Sequence, residues 1–153
     1  MPQSALELRI GFEVGLYDRA DVASWVDHAI LAAATPCDVL LELTTLCHRT
    51  STEIASLLDQ LQPSIVGDTF ILHAKAVAMM FRDKRLSAVA ALDRLPQVSC
   101  GQTPAEDEVY NLYERMDLAT QGIAGSVSEV EQEITEFLEQ VLSEYGVISR
   151  GET

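Results

Sequence analysis

Apolar residues along most of the chain recur at intervals of three and four, the spacing that places them on one face of an α-helix. No convincing stretch alternates apolar and polar side chains, and no Asn-Gly or Asp-Gly dipeptide offers a two-residue hairpin. Ala, Leu and Glu, which all favour helices, supply 50 of the 153 residues. The pattern therefore predicts an all-α protein.

Capping residues and helix breakers divide the chain into eight predicted helices. Ser4, Asp18 and Thr50 are suited to cap helix starts, and Pro36 and Pro104 are suited to the first position of a helix. The predicted helices cover residues 4–15, 18–34, 36–47, 50–61, 67–82, 87–95, 104–121 and 128–145, with 96–104 and 122–126 as loops. We expect such short helices to need tertiary packing for their stability.

The fifth predicted helix is apolar on almost every side. Ten of its residues are large or small hydrophobes, namely Phe70, Ile71, Leu72, Ala74, Ala76, Val77, Ala78, Met79, Met80 and Phe81. A helix without a polar face is usually buried at the centre of a domain. We therefore predict one domain over 1–153, a compact bundle of seven to eight short helices packed around this central helix. A short solenoid of helical repeats is the alternative.

The overall charge excludes one large class of partner. The chain has 24 acidic and 10 basic side chains, a formal net charge of −14, and nucleic-acid binding needs a basic surface. A stretch beginning at Thr52 resembles a helix-turn-helix, but residues 64–70 contain no Arg, Lys, Asn or Gln to recognise a base. We therefore expect no nucleic-acid partner.

The lengths of the apolar runs and the spacing of the cysteines indicate the cellular compartment of the protein. No run of about 18 apolar residues occurs, and the first residues lack the basic and apolar regions of a secretory signal. The three cysteines, Cys37, Cys47 and Cys100, are widely spaced and do not suggest a disulfide framework. These features predict no membrane span and a cytoplasmic protein, with a periplasmic protein that has lost its leader as the alternative.

Acidic residues are concentrated near the carboxyl end. Residues 104–153 contain 12 acids and 2 bases, whereas residues 1–103 contain 12 acids and 8 bases. In the last helix, Glu129, Glu133, Glu136 and Glu139 lie away from the apolar stripe. Their like-charge pairs cost about 0.2–0.5 kcal/mol each. Two interpretations are open: a face that only keeps the protein soluble, or a docking surface for a basic partner.

Motifs for catalysis, metal binding and cofactor binding are absent from the sequence. No Cys or His pair has the spacing of a zinc site, and no His has a Glu three residues before it, as di-iron bundles require. Nucleophile elbows, dinucleotide fingerprints and P-loops are missing too. We interpret Arg82, Lys84 and Arg85 as complements to a helix dipole. The sequence predicts no enzyme, no cofactor and no metal.

One stretch near the amino end resembles a group of known proteins. It consists of Glu13-Val14-Gly15-Leu16, Asp21-Val22, Trp25-Val26-Asp27 and Ile30. These residues are similar to the opening of small uncharacterised bacterial all-helical proteins, some of which lie beside polymorphic toxins as immunity proteins. The resemblance implies an all-helical fold and a protein-binding role.

Three functions follow as hypotheses. The first is a non-enzymatic acidic protein-binding module, in its concrete form an immunity or inhibitor protein for a basic toxin. The second is a structural homodimer or an accessory subunit of a larger bacterial complex. The third is a small-ligand-binding helical bundle with its site near His73, Met79 and Met80 on the apolar helix.

Overall fold

The structure, a computed structural model, describes residues 2–62, 69–96 and 103–146. Its helices are α1 (Ala5–Val14), α2 (Arg19–Ala32), α3 (Asp38–Glu42), a 3₁₀ helix (Leu43–His48), α4 (Ser51–Leu61), α5 (Thr69–Arg82), α6 (Ala88–Arg94), α7 (Pro104–Thr120) and α8 (Val127–Gly146). These ranges contain no strand. The predicted all-α bundle class is confirmed.

Side-chain caps begin six of the described helices. The side chains of Ser4, Asp18, Thr50, Ser87, Thr103 and Ser126 each accept a hydrogen bond from the backbone N–H three residues later. Such caps satisfy backbone donors that have no partner within the first helical turn. The helix starts predicted at the first three of these residues are confirmed.

The prediction of one continuous helix over 36–47 is wrong. α3 begins only at Asp38 and passes into the 3₁₀ helix, which is interrupted at Thr45 (φ −98°, ψ 38°). The hydroxyls of Thr44 and Thr45 donate to backbone carbonyls three residues earlier, at 2.6 and 2.8 Å. Such local hydrogen bonds from β-branched residues compete with the regular helix.

Both cysteines of this segment are exposed. Leu43 and Leu46 of the 3₁₀ helix are buried at an interval of three, which matches its roughly three residues per turn. Cys47 follows Leu46 off this buried side, whereas Cys37 precedes α3 in an extended conformation. The third cysteine, Cys100, lies outside the described residues.

The chain divides into two compact units. Unit 1 is Met1–Thr69 and unit 2 is Phe70–Thr153. The core of unit 1 is formed by α1, α2, α4 and the 3₁₀ helix, through Leu8, Val22, Val26, Leu43, Leu46, Ile54, Leu57 and Leu58. The interpretation of 1–153 as a single domain stays a prediction.

Unit 2 is built around the contacts of α5, α6, α7 and α8. The core residues of α5 are Phe70, Ala74, Val77 and Ala78. On α8 the buried residues are Val130, Ile134, Phe137, Leu138 and Val141, so the apolar stripe predicted for the last helix is confirmed over these positions. This packing fixes the rotation of α8 and hence the direction of its polar side chains.

Candidate protein-binding surface

The four glutamates predicted to bind a partner line three different cavities. Glu133 and Glu136 line one groove of unit 2, whereas Glu139 lines a second groove. Glu129 lines a third, smaller cavity of about 160 Å³ beside the turn between α7 and α8. Successive residues of an α-helix point in directions about 100° apart, so the four glutamates share the polar side of α8. The residues that pack beside them differ, and the four carboxylates therefore line different cavities.

The first groove, called here the acidic groove, has a volume of about 530 Å³. Four carboxylates line it: Glu108 from α7, and Glu133, Glu136 and Glu144 from α8. Its apolar lining consists of Ile71, Pro104, Ala105, Phe137 and Val141, and its other polar residues are Thr103 and Gln140. No Lys, Arg or His is among these described lining residues, so the groove combines an apolar floor with negative charge.

Glu133 has a cationic partner within the protein. Both terminal nitrogens of Arg115 on α7 donate to its carboxylate, which forms a two-pronged ion pair between α7 and α8. Arg115 is the only basic residue in the sequence between positions 103 and 146. The sequence of α8 alone does not reveal this pair, because the two residues are 18 positions apart. Glu133 is therefore the most neutralised of the four carboxylates in the acidic groove.

Two glutamines orient other acids of the groove without neutralising them. The Gln132 amide donates to Glu136 at 3.3 Å, and the Gln140 amide donates to Glu144 at 2.8 Å. Each pair is spaced four residues apart along α8, where side chains on one helical face meet. Because an amide carries no net charge, each glutamine restricts the position of its carboxylate without forming an ion pair with it.

The second groove, called here the basic groove, has a volume of about 640 Å³. Three cations line it at the end of α5: Arg82, Lys84 and Arg85. Its other lining residues are Phe81, Leu86, Ser87, Leu138, Leu142 and Glu139. The sequence contains a signal for this groove, since Phe81 and Leu86 flank the cations. The interpretation of the cations as complements to the helix dipole does not use that signal.

No metal cluster is found in the described ranges, and the three cavities described above do not reach the centre of α5. Within 2–62, 69–96 and 103–146, no three His, Cys, Asp or Glu side chains come together as a metal site. Neither groove, nor the small cavity at Glu129, is lined by His73, Met79 or Met80. The hypothesis of a ligand site at those residues gains no support from these cavities.

The described helices also lack the length and apolar character that a membrane crossing requires. Comparison of the chain with protein-family models, curated proteins and solved structures found no match. The case for a function therefore depends on the residues themselves.

Proposed function

We propose that the chain is a non-enzymatic protein-binding module whose partner is a basic protein that docks in the acidic groove. One observation carries this proposal: four carboxylates, of which Glu133 is already ion-paired with Arg115, surround an apolar floor, and no described lining residue is a cation. Apolar contact supplies most of the affinity of a protein interface, whereas complementary charge gives association rate and specificity. The groove offers both to a partner that presents an apolar side chain flanked by Lys or Arg.

The carboxylates extend far enough to contact a partner at several points. Glu133 and Glu144 are 11 residues apart on α8, which corresponds to about 16 Å at 1.5 Å per residue. Glu108 adds a carboxylate from the neighbouring helix, α7. A partner with two or three cations spaced over that length would pair with several of these acids at once.

In its concrete form, the proposal is an immunity or inhibitor protein for a basic toxin. Two features support it: the sequence resemblance near the amino end and the acidic groove. A nuclease binds its substrate through cations that neutralise phosphates. A row of carboxylates along α8 presents negative charges to the same cations, so it would compete with the nucleic acid for them.

The test compares two double charge reversals. In Glu136→Lys/Glu144→Lys both changes lie in the acidic groove, and neither breaks the ion pair of Arg115 with Glu133. In the control, Asp93→Lys/Asp117→Lys, the net charge changes equally at two exposed positions of unit 2 that do not line it. We expect the partner captured from native host cells by the wild type to bind the control normally and the groove variant at least tenfold more weakly, since each close charge pair contributes about 1 kcal/mol or more.

The immunity role has a separate test. Cells that express the captured partner as a toxin should survive with the wild type or the control, and should die with the groove variant. If the partner is not toxic but still binds at the groove, the immunity form is wrong and the protein-binding module stands. Equal binding by the groove variant and the control would overturn the module itself.

The second function, a homodimer or accessory subunit, is supported by exposed apolar side chains in unit 1. Leu31 is 86% exposed on α2, and Leu41 is 48% exposed on α3. Large exposed apolar side chains are frequent in interfaces. If this hypothesis is right, light scattering should give a dimer that is insensitive to salt and is lost in Leu31→Ser/Leu41→Ser. A monomer at micromolar concentration would contradict the dimer.

A further inference from the structure

The basic groove lies on a different flank of α8 from the acidic groove and has the opposite charge at its edge. We propose that it binds a small amphiphile with one anionic head group and one apolar chain, of the class of medium-chain alkyl carboxylates. Ligand cavities typically have volumes of about 300–1,000 Å³, and this groove has about 640 Å³. The proposal is independent of the proposed function, which uses other residues.

The cations are presented from a turn whose backbone is held by three hydrogen bonds. The N–H groups of Asp83, Lys84 and Arg85 donate to the last carbonyls of α5, at 3.0, 3.0 and 2.9 Å. The side chains of Lys84 and Arg85 are therefore attached to a backbone that is held in place. Such an arrangement reduces the ordering that a bound anion would require.

Lys84 occupies a backbone conformation that favours glycine. Its φ is 60°, in the left-handed region, at the position where helices commonly end with Gly. Glycine would adopt this turn without strain, so the backbone does not explain a lysine at this position. The side chain of Lys84 lines the groove, and its charge is what a glycine would lack.

The distribution of charge favours a ligand with a single head group. Arg82, Lys84 and Arg85 all lie within four consecutive residues. Asp83, the fourth, forms an ion pair with Arg82 at 3.4 Å, so the segment keeps a net positive charge that is concentrated around Lys84 and Arg85. The α8 side contributes Leu138 and Leu142 together with Glu139, which repels a second anion. An acidic helix would need cations distributed along its length, whereas an alkyl carboxylate needs them only at its head.

The apolar floor is the exposed edge of the unit 2 core. Phe81, Leu86 and Leu142 are partly buried and pack against that core. Their remaining exposed surface faces the groove that they line. An alkyl chain would cover this surface, and burial of each methylene is worth several-fold in affinity.

The test is calorimetric titration of the full chain with dodecanoate below its micelle concentration. We expect wild-type protein to bind one dodecanoate, and Lys84→Gly to bind it about three- to tenfold more weakly because one ion pair is lost. Glu139→Gln should bind it more tightly, because a nearby negative charge is removed. Lys75→Gln, which removes a cation of unit 2 that does not line the groove, should bind it as the wild type does.

Glycine at position 84 keeps the test interpretable. Because glycine suits the left-handed turn, Lys84→Gly should melt at the same temperature as the wild type or higher. If Lys84 had only a structural role, Lys84→Gly would bind dodecanoate as the wild type does. The proposal is overturned if Lys84→Gly binds dodecanoate as well as the wild type, if dodecyltrimethylammonium binds equally well, or if an acidic peptide binds where dodecanoate does not.

Discussion

Gly11 of α1 lies against the ring of Tyr17 so closely that a Cβ atom at position 11 would overlap two ring carbons. Glycine in a helix normally costs about 1 kcal/mol relative to alanine, so its presence here is explained by this contact. We expect Gly11→Ala to lower the free energy of unfolding by about 1–3 kcal/mol, the range for an overpacked site.

A double-mutant cycle checks the cause. In a Tyr17→Ala background the overlap disappears, and Gly11→Ala should become neutral or stabilising by up to about 1 kcal/mol. Urea unfolding of the four proteins gives the coupling energy. The same loss of stability in both backgrounds would show that the ring is not the obstacle.

Tyr17 itself should make stability depend on alkaline pH. Burial first, and then the charges of Glu7 and Asp21, together raise the pKa of Tyr17 from 10.0 to about 12. The unfolded chain therefore loses this proton before the folded chain does, so the contribution is fully present below pH 10 and is lost as the pH rises to about 12. Tyr17→Phe should lose less stability than the wild type between pH 9.5 and 11.5, measured by urea unfolding. An identical loss in both would contradict the raised pKa.

Replacing Glu136 should change the stability of the protein and its affinity for the partner in opposite directions. Glu136 lies three residues from both Glu133 and Glu139 on α8, and like charges at that spacing repel each other. We expect Glu136→Gln to raise the free energy of unfolding by about 0.5 kcal/mol and to lower the affinity for the partner. The matched control is Glu131→Gln, which removes a charge with no acid three or four residues away and should change neither property. A stabilised Glu136→Gln with unchanged partner binding would count against the acidic groove.

Among the elements, those with a local signal in the sequence were predictable. Helix starts at Ser4, Asp18 and Thr50 follow from a side chain that accepts a hydrogen bond three residues later, and the apolar stripe of α8 follows from its spacing. The 3₁₀ helix was not predicted, because Leu40, Leu43 and Leu46 fit an amphipathic α-helix as a pattern. The competing hydrogen bonds of the threonines decide between the two forms.

Arg19 joins the start of α2 to the end of the 3₁₀ helix. Its guanidinium donates to the backbone carbonyls of Leu46 and Arg49 at 2.8 and 2.7 Å. Because Arg19 is largely exposed, we expect Arg19→Ala to cost only about 1 kcal/mol of stability. Hydrogen exchange provides the local measurement: amides of residues 43–49 should exchange faster, whereas those of α7 should not. Unchanged exchange at 43–49 would show that this contact does not hold the segment.

At the scale of the whole molecule, charge is distributed very unevenly. Between positions 103 and 146 the sequence has 11 acidic residues and one basic residue, Arg115. Composition alone indicates this excess, but not where each carboxylate lies. The rotation of α8 in the core, the pairing of Glu133 across to α7, and the placement of Leu138 and Leu142 beside the cations of the basic groove all arise from tertiary packing. The sequence therefore predicts the negative charge of the candidate site but not the positions of its carboxylates.

Electrostatic attraction of a partner must weaken when salt screens it. The Debye length is about 8 Å at physiological ionic strength and about 30 Å at 0.01 M, so carboxylates spread over about 16 Å of α8 act together only at low salt. The association rate constant of the proposed complex should therefore depend strongly on salt, whereas that of an apolar self-association should not.

The most direct measurement is the association rate constant of the chain with its captured partner as a function of ionic strength. For the wild type and for Asp93→Lys/Asp117→Lys, we expect the rate constant to fall at least tenfold between 0.02 and 0.5 M salt, as in steered association. For Glu136→Lys/Glu144→Lys, it should be slow throughout and nearly independent of salt. Equal salt dependence in the groove variant and the control would contradict docking at the acidic groove.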